Sequence, residues 1–180
     1  MKYDLCVVGG GPGGVRAARL AGQAGLKVAL VERAALGGTC VNLGCVPKKL
    51  FVYASHYAED FVDARAYGWS FSQPTFDWKT LRSAKDAAIE RLNGVYARLL
   101  AEAGCHVIKG TARLSTPREV VVGDERIHAR HVLIATGGQA LRPDIPGAGH
   151  GLISDDIFHL DALPARAAVV GGGYTAIEMA

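Results

Sequence analysis

Cys40 and Cys45 stand with four residues between them in the run Gly37-Gly-Thr-Cys-Val-Asn-Leu-Gly-Cys-Val-Pro-Lys-Lys49. Two thiols so close have three uses. They can form a redox disulfide, supply half of a zinc site, or fill small buried positions as inert hydrophobes. Gly44, just before Cys45, permits the bend that brings two sulfurs within bonding reach. Zinc would need two further ligands. Cys6 lies inside an expected strand, Cys105 begins another, and the six histidines show no ligand spacing, so no metal is expected. Lasting disulfides are rare in the cytosol, so a close pair there points to catalysis or metal binding.

A dinucleotide fingerprint lies upstream. Gly9, Gly11 and Gly14 fit G-x-G-x-x-G between an apolar run at 5–8 and a helix-forming stretch at 13–24. The first glycine permits the turn, the second admits a pyrophosphate, and the third allows close packing of helix on strand. The helix N-terminus offers unpaired N–H groups to phosphate. Glu32 ends the next apolar run, 28–31, where an acid accepts from an adenosine ribose and repels a 2′-phosphate. A thiol pair beside a bound dinucleotide implies electrons passing from a cofactor into a disulfide. The pattern recurs as Gly171, Gly173 and Ala176 after 167–170. Two sites suggest a resident flavin and a diffusing nicotinamide, and Ala in the third place hints at NADP.

These residues need elements to hold them. Runs 5–8 and 28–31 read as buried parallel strands around the first helix. A helix is expected over 41–61 after Pro47, a loop over 68–74, and a long amphipathic helix over 77–103. Stretches 107–114, 119–122 and 126–135 read as strands, with a hairpin turn at Gly123-Asp124, and 167–170 as a further buried strand. The fold class is α/β: a Rossmann-like domain with a parallel sheet, a hairpin insertion and a long helix over 1–165. The start of a second such domain falls at 166–180. The chain has 180 residues and a formal charge of +3, which is no footprint for nucleic acid. No apolar run reaches membrane-spanning length, and a cytoplasmic location is the default expectation.

The chain resembles the flavin-dependent disulfide reductases, with the glutathione reductases as the nearest branch. The likeness rests on Gly9 to Gly14, Gly37 to Lys49, Arg91-Leu-Asn-Gly-Val-Tyr96, Ala135-Thr-Gly-Gly138, Ile145-Pro-Gly147 and Gly171 to Glu178. Lipoamide dehydrogenases and mercuric reductases usually carry Pro-Ser-Lys where this chain has Pro47-Lys48-Lys49. Trypanothione reductases share the lysines but favour an acid and an aromatic where this chain has Arg16 and Arg19, cations suited to an anionic substrate. Pro12 departs from the serine found in many glutathione reductases.

The resemblance implies FAD and NADPH as cofactors, glutathione disulfide as substrate and a homodimer formed through a domain absent here. Cys40 would be the interchange thiol and Cys45 the thiol nearer the flavin. Lys48 would pair with Glu178 near the flavin. Flavin contacts would come from Gly9, Gly11, Pro12, Gly13, Gly14, Glu32, Arg33, Gly38, Thr39, Thr111, Ala112, Ala135, Thr136 and Gly137, besides both cysteines and Lys48. Gly171, Gly173, Tyr174 and Ala176 would serve the nicotinamide, with Tyr174 as a lid. Arg19 and Tyr96 would face the substrate. The family's catalytic histidine has no counterpart among the histidines here, so these residues alone are expected not to turn over. The rival readings are another flavoprotein of this superfamily, acting on lipoamide, Hg(II) or trypanothione, and a non-enzymatic flavin-binding fragment.

Overall fold

The computed structural model describes residues 2–180. Its strands are β1 (Lys2–Val8), β2 (Val28–Glu32), β3 (His106–Lys109), β4 (Ala112–Thr116), β5 (Glu119–Val122) and β6 (Glu125–Ile134). Its helices are α1 (Pro12–Gln23), α2 (Gly38–Leu43), α3 (Cys45–Ala66), α4 (Trp78–Glu102), α5 (Ser154–Ile157) and α6 (Tyr174–Met179). Two compact units result. One runs to Asn42 and resumes over Glu90–Gln139; the other joins Leu43–Ile89 to Ala140–Ala180.

The first unit is built on a six-stranded sheet ordered β3-β2-β1-β6-β5-β4. Strands β3, β2, β1 and β6 run parallel, and β4, β5 and β6 form an antiparallel meander. This is the mixed α/β sheet with a hairpin that the strand pattern implied. Strand β2 is buried at every position before Glu32 because both of its faces are covered. Val28 and Leu30 pack with Val15 and Ala18 of α1 and with Leu100 of α4. Ala29 and Val31 face the other way, packing with Ile108, Val120 and Ile127. The alternation is the period-two geometry of a strand.

One expected strand is two. Stretch 107–114 breaks at Gly110, whose φ of +155° suits glycine and whose N–H donates to the Glu32 carbonyl at 2.9 Å. Strand β3 pairs with β2, while β4 pairs with β5 at the far end of the hydrogen-bonded order. No single strand could serve both partners.

The second unit is helical. Asp77 caps α4 by accepting the backbone N–H of Thr80 at 3.1 Å. Phe51 of α3 stacks obliquely on Trp78 and Phe158, with ring centroids 5.1 and 5.7 Å apart. Lys85 is buried, and its ammonium donates to the Phe158 carbonyl at 2.8 Å. The Trp78 indole donates to the Leu160 carbonyl at 2.8 Å. Helix α3 extends five residues past the expected end, to Ala66.

The strand expected at 167–170 is not formed: this segment is non-helical, unpaired backbone and Val170 is exposed. A parallel strand draws its hydrogen bonds from neighbours, and the second unit has no strand among its described residues to provide them.

Candidate functional site

The chemistry of the first unit gathers where β1, β2 and β6 end. The chain leaves β1 for β2 on one side, and β6 flanks it on the other, so the strand order reverses there. Ligands of such sheets lie beyond the carboxyl ends at this reversal. A cleft of about 280 Å³ opens there, and Gly9, Glu32, Arg33, Thr111, Ala112, Thr136 and Gly137 line it. All seven are among the expected flavin contacts. Val8, Val31, Gly110, Gly138 and Gln139 also line it and were missed. They adjoin the named residues but carry no chemical signal of their own.

The fingerprint glycines are required by sterics. A Cβ on Gly14 would lie 1.8 Å from the Gly9 carbonyl oxygen. Gly9 has φ of +113°, and a Cβ there would lie 2.2 Å from the Ala135 carbonyl oxygen. Ala135 thus shapes the turn through its backbone rather than by lining the cleft. At Gly11 a Cβ would meet only the Gly38 Cα, 3.8 Å away, which leaves the approach to the helix open. Gly11 is the N-cap of α1 and no side chain caps that end, so its first N–H groups stay available to an anion. Pro12 sits at the start of α1, where the missing N–H costs no intrahelical bond. Gly13 lies in the same first turn and is exposed.

Glu32 does more than face a ligand. One carboxylate oxygen accepts the Gly10 N–H at 2.6 Å and the other the Ala34 N–H at 2.7 Å. The acid therefore pins the glycine turn to the end of β2. Each oxygen keeps a lone pair for a further donor.

The cysteine segment is fastened to that turn. The Gly37 N–H donates to the Gly10 carbonyl at 2.8 Å. Gly38, with φ of +57°, comes so close that a Cβ would lie 2.7 Å from the Gly11 Cα. Thr39 and Cys40 follow on α2. Cys40 and Cys45 are both disulfide-bonded, and the pair is consistent with a redox disulfide. Cys6 and Cys105 are free and buried. Burial pushes the Cys6 thiol up to about 11 and raises Cys105 as well. Such thiols are poor nucleophiles at neutral pH.

The second unit holds Cys45 at the first position of α3 and Lys48 one turn on. The Lys48 ammonium donates to Glu178 of α6 at 2.5 Å, so this expected pair is brought together. Lys49 points elsewhere, its ammonium 5.2 Å from the centre of the Tyr53 ring. The second glycine turn has φ of +126° at Gly171, and a Cβ there would lie 3.9 Å from that of Ala176. Gly173 caps α6, and Tyr174 is exposed.

Of the residues expected to face substrate, Arg16 is exposed and Arg19 is half-buried, its Nε buried with no hydrogen-bond partner. Tyr96 packs partly buried against the core cluster of Val7, Val15 and Leu100.

The profile of the family described as pyridine nucleotide-disulphide oxidoreductase matches residues 3–180. The chain belongs to this family. Named relatives include a glutathione reductase of Burkholderia cepacia, 48% identical over 178 residues. Others are the glutathione reductases of Nostoc sp., 41% identical over 178 residues, and of Yarrowia lipolytica, 43% over 192. Each comparison covers 99% of this chain but only 40%, 39% and 41% of the respective relative. The chain thus spans about two fifths of the length of these relatives. Membership of a disulphide oxidoreductase family accords with the redox reading of the Cys40 and Cys45 pair over the zinc and inert readings. Among the described residues no cluster suited to a metal ion occurs, and no helix is long and apolar enough to cross a membrane.

Proposed function

We propose that this chain carries the FAD-binding and disulfide-bearing part of an NADPH-dependent enzyme that reduces glutathione disulfide. The observation that carries the reading is the fastening of the Cys40 segment to the dinucleotide turn, through the Gly37 to Gly10 hydrogen bond and the Gly38 to Gly11 contact. A redox thiol is thereby built onto a nucleotide-binding turn.

The residues fit a dinucleotide. The cleft, the side-chain-free approach at Gly11 and the uncapped N-terminus of α1 would hold a pyrophosphate. Glu32 would accept from a ribose hydroxyl, and Thr111, Ala112, Thr136 and Gly137 would flank the cofactor. Bound FAD would supply a two-electron relay between a nicotinamide and a disulfide.

The chain's own groups account for the thiol chemistry. Reduction converts the Cys40–Cys45 disulfide, with two electrons and two protons, into two thiols. The Cys40 thiolate attacks one sulfur of glutathione disulfide, forming a mixed disulfide and releasing one glutathione thiolate. The Cys45 thiolate then attacks the Cys40 sulfur, releasing the second glutathione and closing the internal disulfide. Lys48, one turn beyond Cys45, favours thiolate over thiol by its charge, and Glu178 holds its ammonium. Arg19 offers a guanidinium to a substrate carboxylate, and Tyr96 is the second proposed substrate contact. Gly171, Gly173 and Ala176 form the proposed nicotinamide turn, with exposed Tyr174 as its lid.

The test is NADPH oxidation by the full-length protein with glutathione disulfide, lipoamide, trypanothione disulfide and Hg(II) in separate assays. Glutathione disulfide should be preferred by at least about tenfold in kcat/KM, and Cys40→Ser should abolish turnover. Preference for another acceptor would overturn the substrate assignment. Undiminished turnover by Cys40→Ser would overturn the mechanism.

A further inference from the structure

We infer that Asn42 and Asn93 are positioning residues for the redox couple, a role that rests on the reading of Cys40 and Cys45 given above. The two amides form one closed network. The Asn42 amide nitrogen donates to the Gly38 carbonyl at 2.9 Å and to the Leu36 carbonyl at 3.2 Å. The Asn93 amide nitrogen donates to the same Leu36 carbonyl at 2.7 Å and to the Asn42 amide oxygen at 3.0 Å. Turning either amide over would set oxygen against oxygen or nitrogen against nitrogen, so the network has one orientation.

Its endpoints give it a purpose. Leu36 and Gly38 bracket the positive-φ turn that leads into Cys40, and Asn42 lies two residues beyond that cysteine. Asn93 belongs to α4, whose Leu100 is buried in the sheet core together with Ala103 just past the helix end. A short helix of six residues is barely stable alone. The network ties both ends of its first turn to a 25-residue helix anchored in the core. Cys40 is thereby held on two sides: Gly37 and Gly38 bind the dinucleotide turn, and Asn42 binds α4.

The consequence falls on the thiol–disulfide equilibrium. Reduction breaks one S–S bond and forms two S–H bonds, which frees the two residues to separate. A turn held in place keeps one thiol at high effective concentration for the other, which favours the disulfide. Cutting the tether lets the reduced turn wander and makes the disulfide easier to reduce. A tenfold shift in this two-electron equilibrium is about 30 mV.

The full-length protein, with the dinucleotide it retains, is equilibrated in reduced and oxidised dithiothreitol. That dithiol donates two electrons and two protons and closes to its own cyclic disulfide. The Cys40 and Cys45 thiols are then quantified by alkylation. Asn93→Leu should shift the midpoint toward the dithiol by about tenfold. Ile127→Ala, a core cut in the cluster that α4 does not enter, should lower Tm yet keep the wild-type midpoint. A lowered Tm with an unmoved midpoint in Asn93→Leu would overturn the positioning role alone. Absence of any two-electron titration in the wild type would instead overturn the redox reading, and this role with it. If Asn93→Leu does not fold, Asn42→Asp takes its place, keeping size while losing both donors to Leu36 and Gly38.

Discussion

Gly14→Ala should be costly, while the reverse change at the matching place in the second turn, Ala176→Gly, should be nearly neutral. In the first turn the added methyl would start 1.8 Å from the Gly9 carbonyl oxygen. Carbon and oxygen in contact lie more than 3 Å apart, so the turn or α1 must shift by over an ångström. Neither has room. Gly9 backs directly onto the Ala135 carbonyl, and α1 is buried through Val15 and Ala18. Overpacking typically costs about 1–3 kcal/mol, and a boxed site belongs at the upper end, about 3 kcal/mol. With a urea slope of about 2 kcal/mol/M, the unfolding midpoint should fall by about 1.5 M. In the second turn Ala176 already carries a Cβ, 3.9 Å from where one on Gly171 would lie, an ordinary contact. Ala176→Gly removes one methyl from a short exposed helix and should cost about 1 kcal/mol at most. Urea unfolding followed by far-UV circular dichroism measures both. Binding of added FAD, measured in parallel, tests the proposed cofactor cleft. A Gly14→Ala midpoint within about 0.3 M of wild type, or an equal loss from Ala176→Gly, would refute the steric argument.

Three further outcomes follow from side chains already placed. Cys6 is fully buried, and burial lifts its thiol to about 11. The unfolded chain sheds that proton first, near pH 8.5. Stability is therefore complete below about pH 8.5 and falls as pH rises toward 11, by up to about 3 kcal/mol at about 1.36 kcal/mol per pH unit. Chemical denaturation from pH 7.5 to 10.5, compared with Cys6→Ala, checks the slope; a flat difference would contradict it. At pH 8 iodoacetamide should label Cys40 and Cys45 only after reduction and leave Cys6 and Cys105 unlabelled in the folded protein, as peptide mass spectrometry would read out. Lys48 and Glu178 are 22% and 41% exposed, so Lys48→Gln should cost less than about 1 kcal/mol of stability. It should nonetheless raise the pH needed for alkylation of the reduced Cys45. A large fall in Tm with unchanged alkylation would make the pair structural instead.

Much of this was legible in order along the chain. The glycines at 9, 11 and 14, the acid at 32, the strand at β2 and the cysteine spacing are local signals, each set by what one turn, one helix end or one buried strand requires. They pointed to the family, which the comparison with known proteins bears out. Tertiary structure decided what depends on partners far away in sequence. Stretch 107–114 became two strands because its halves pair with different neighbours. Stretch 167–170 formed none because pairing needs a second strand. Glu32 proved to be a staple for Gly10 besides facing the cleft. Asn93 acquired a role only when folding carried it to Leu36 and Asn42. Backbone hydrogen bonds and side-chain amides are short-ranged and directional, so residue types along the chain can announce a turn but not the distant atom that will complete it.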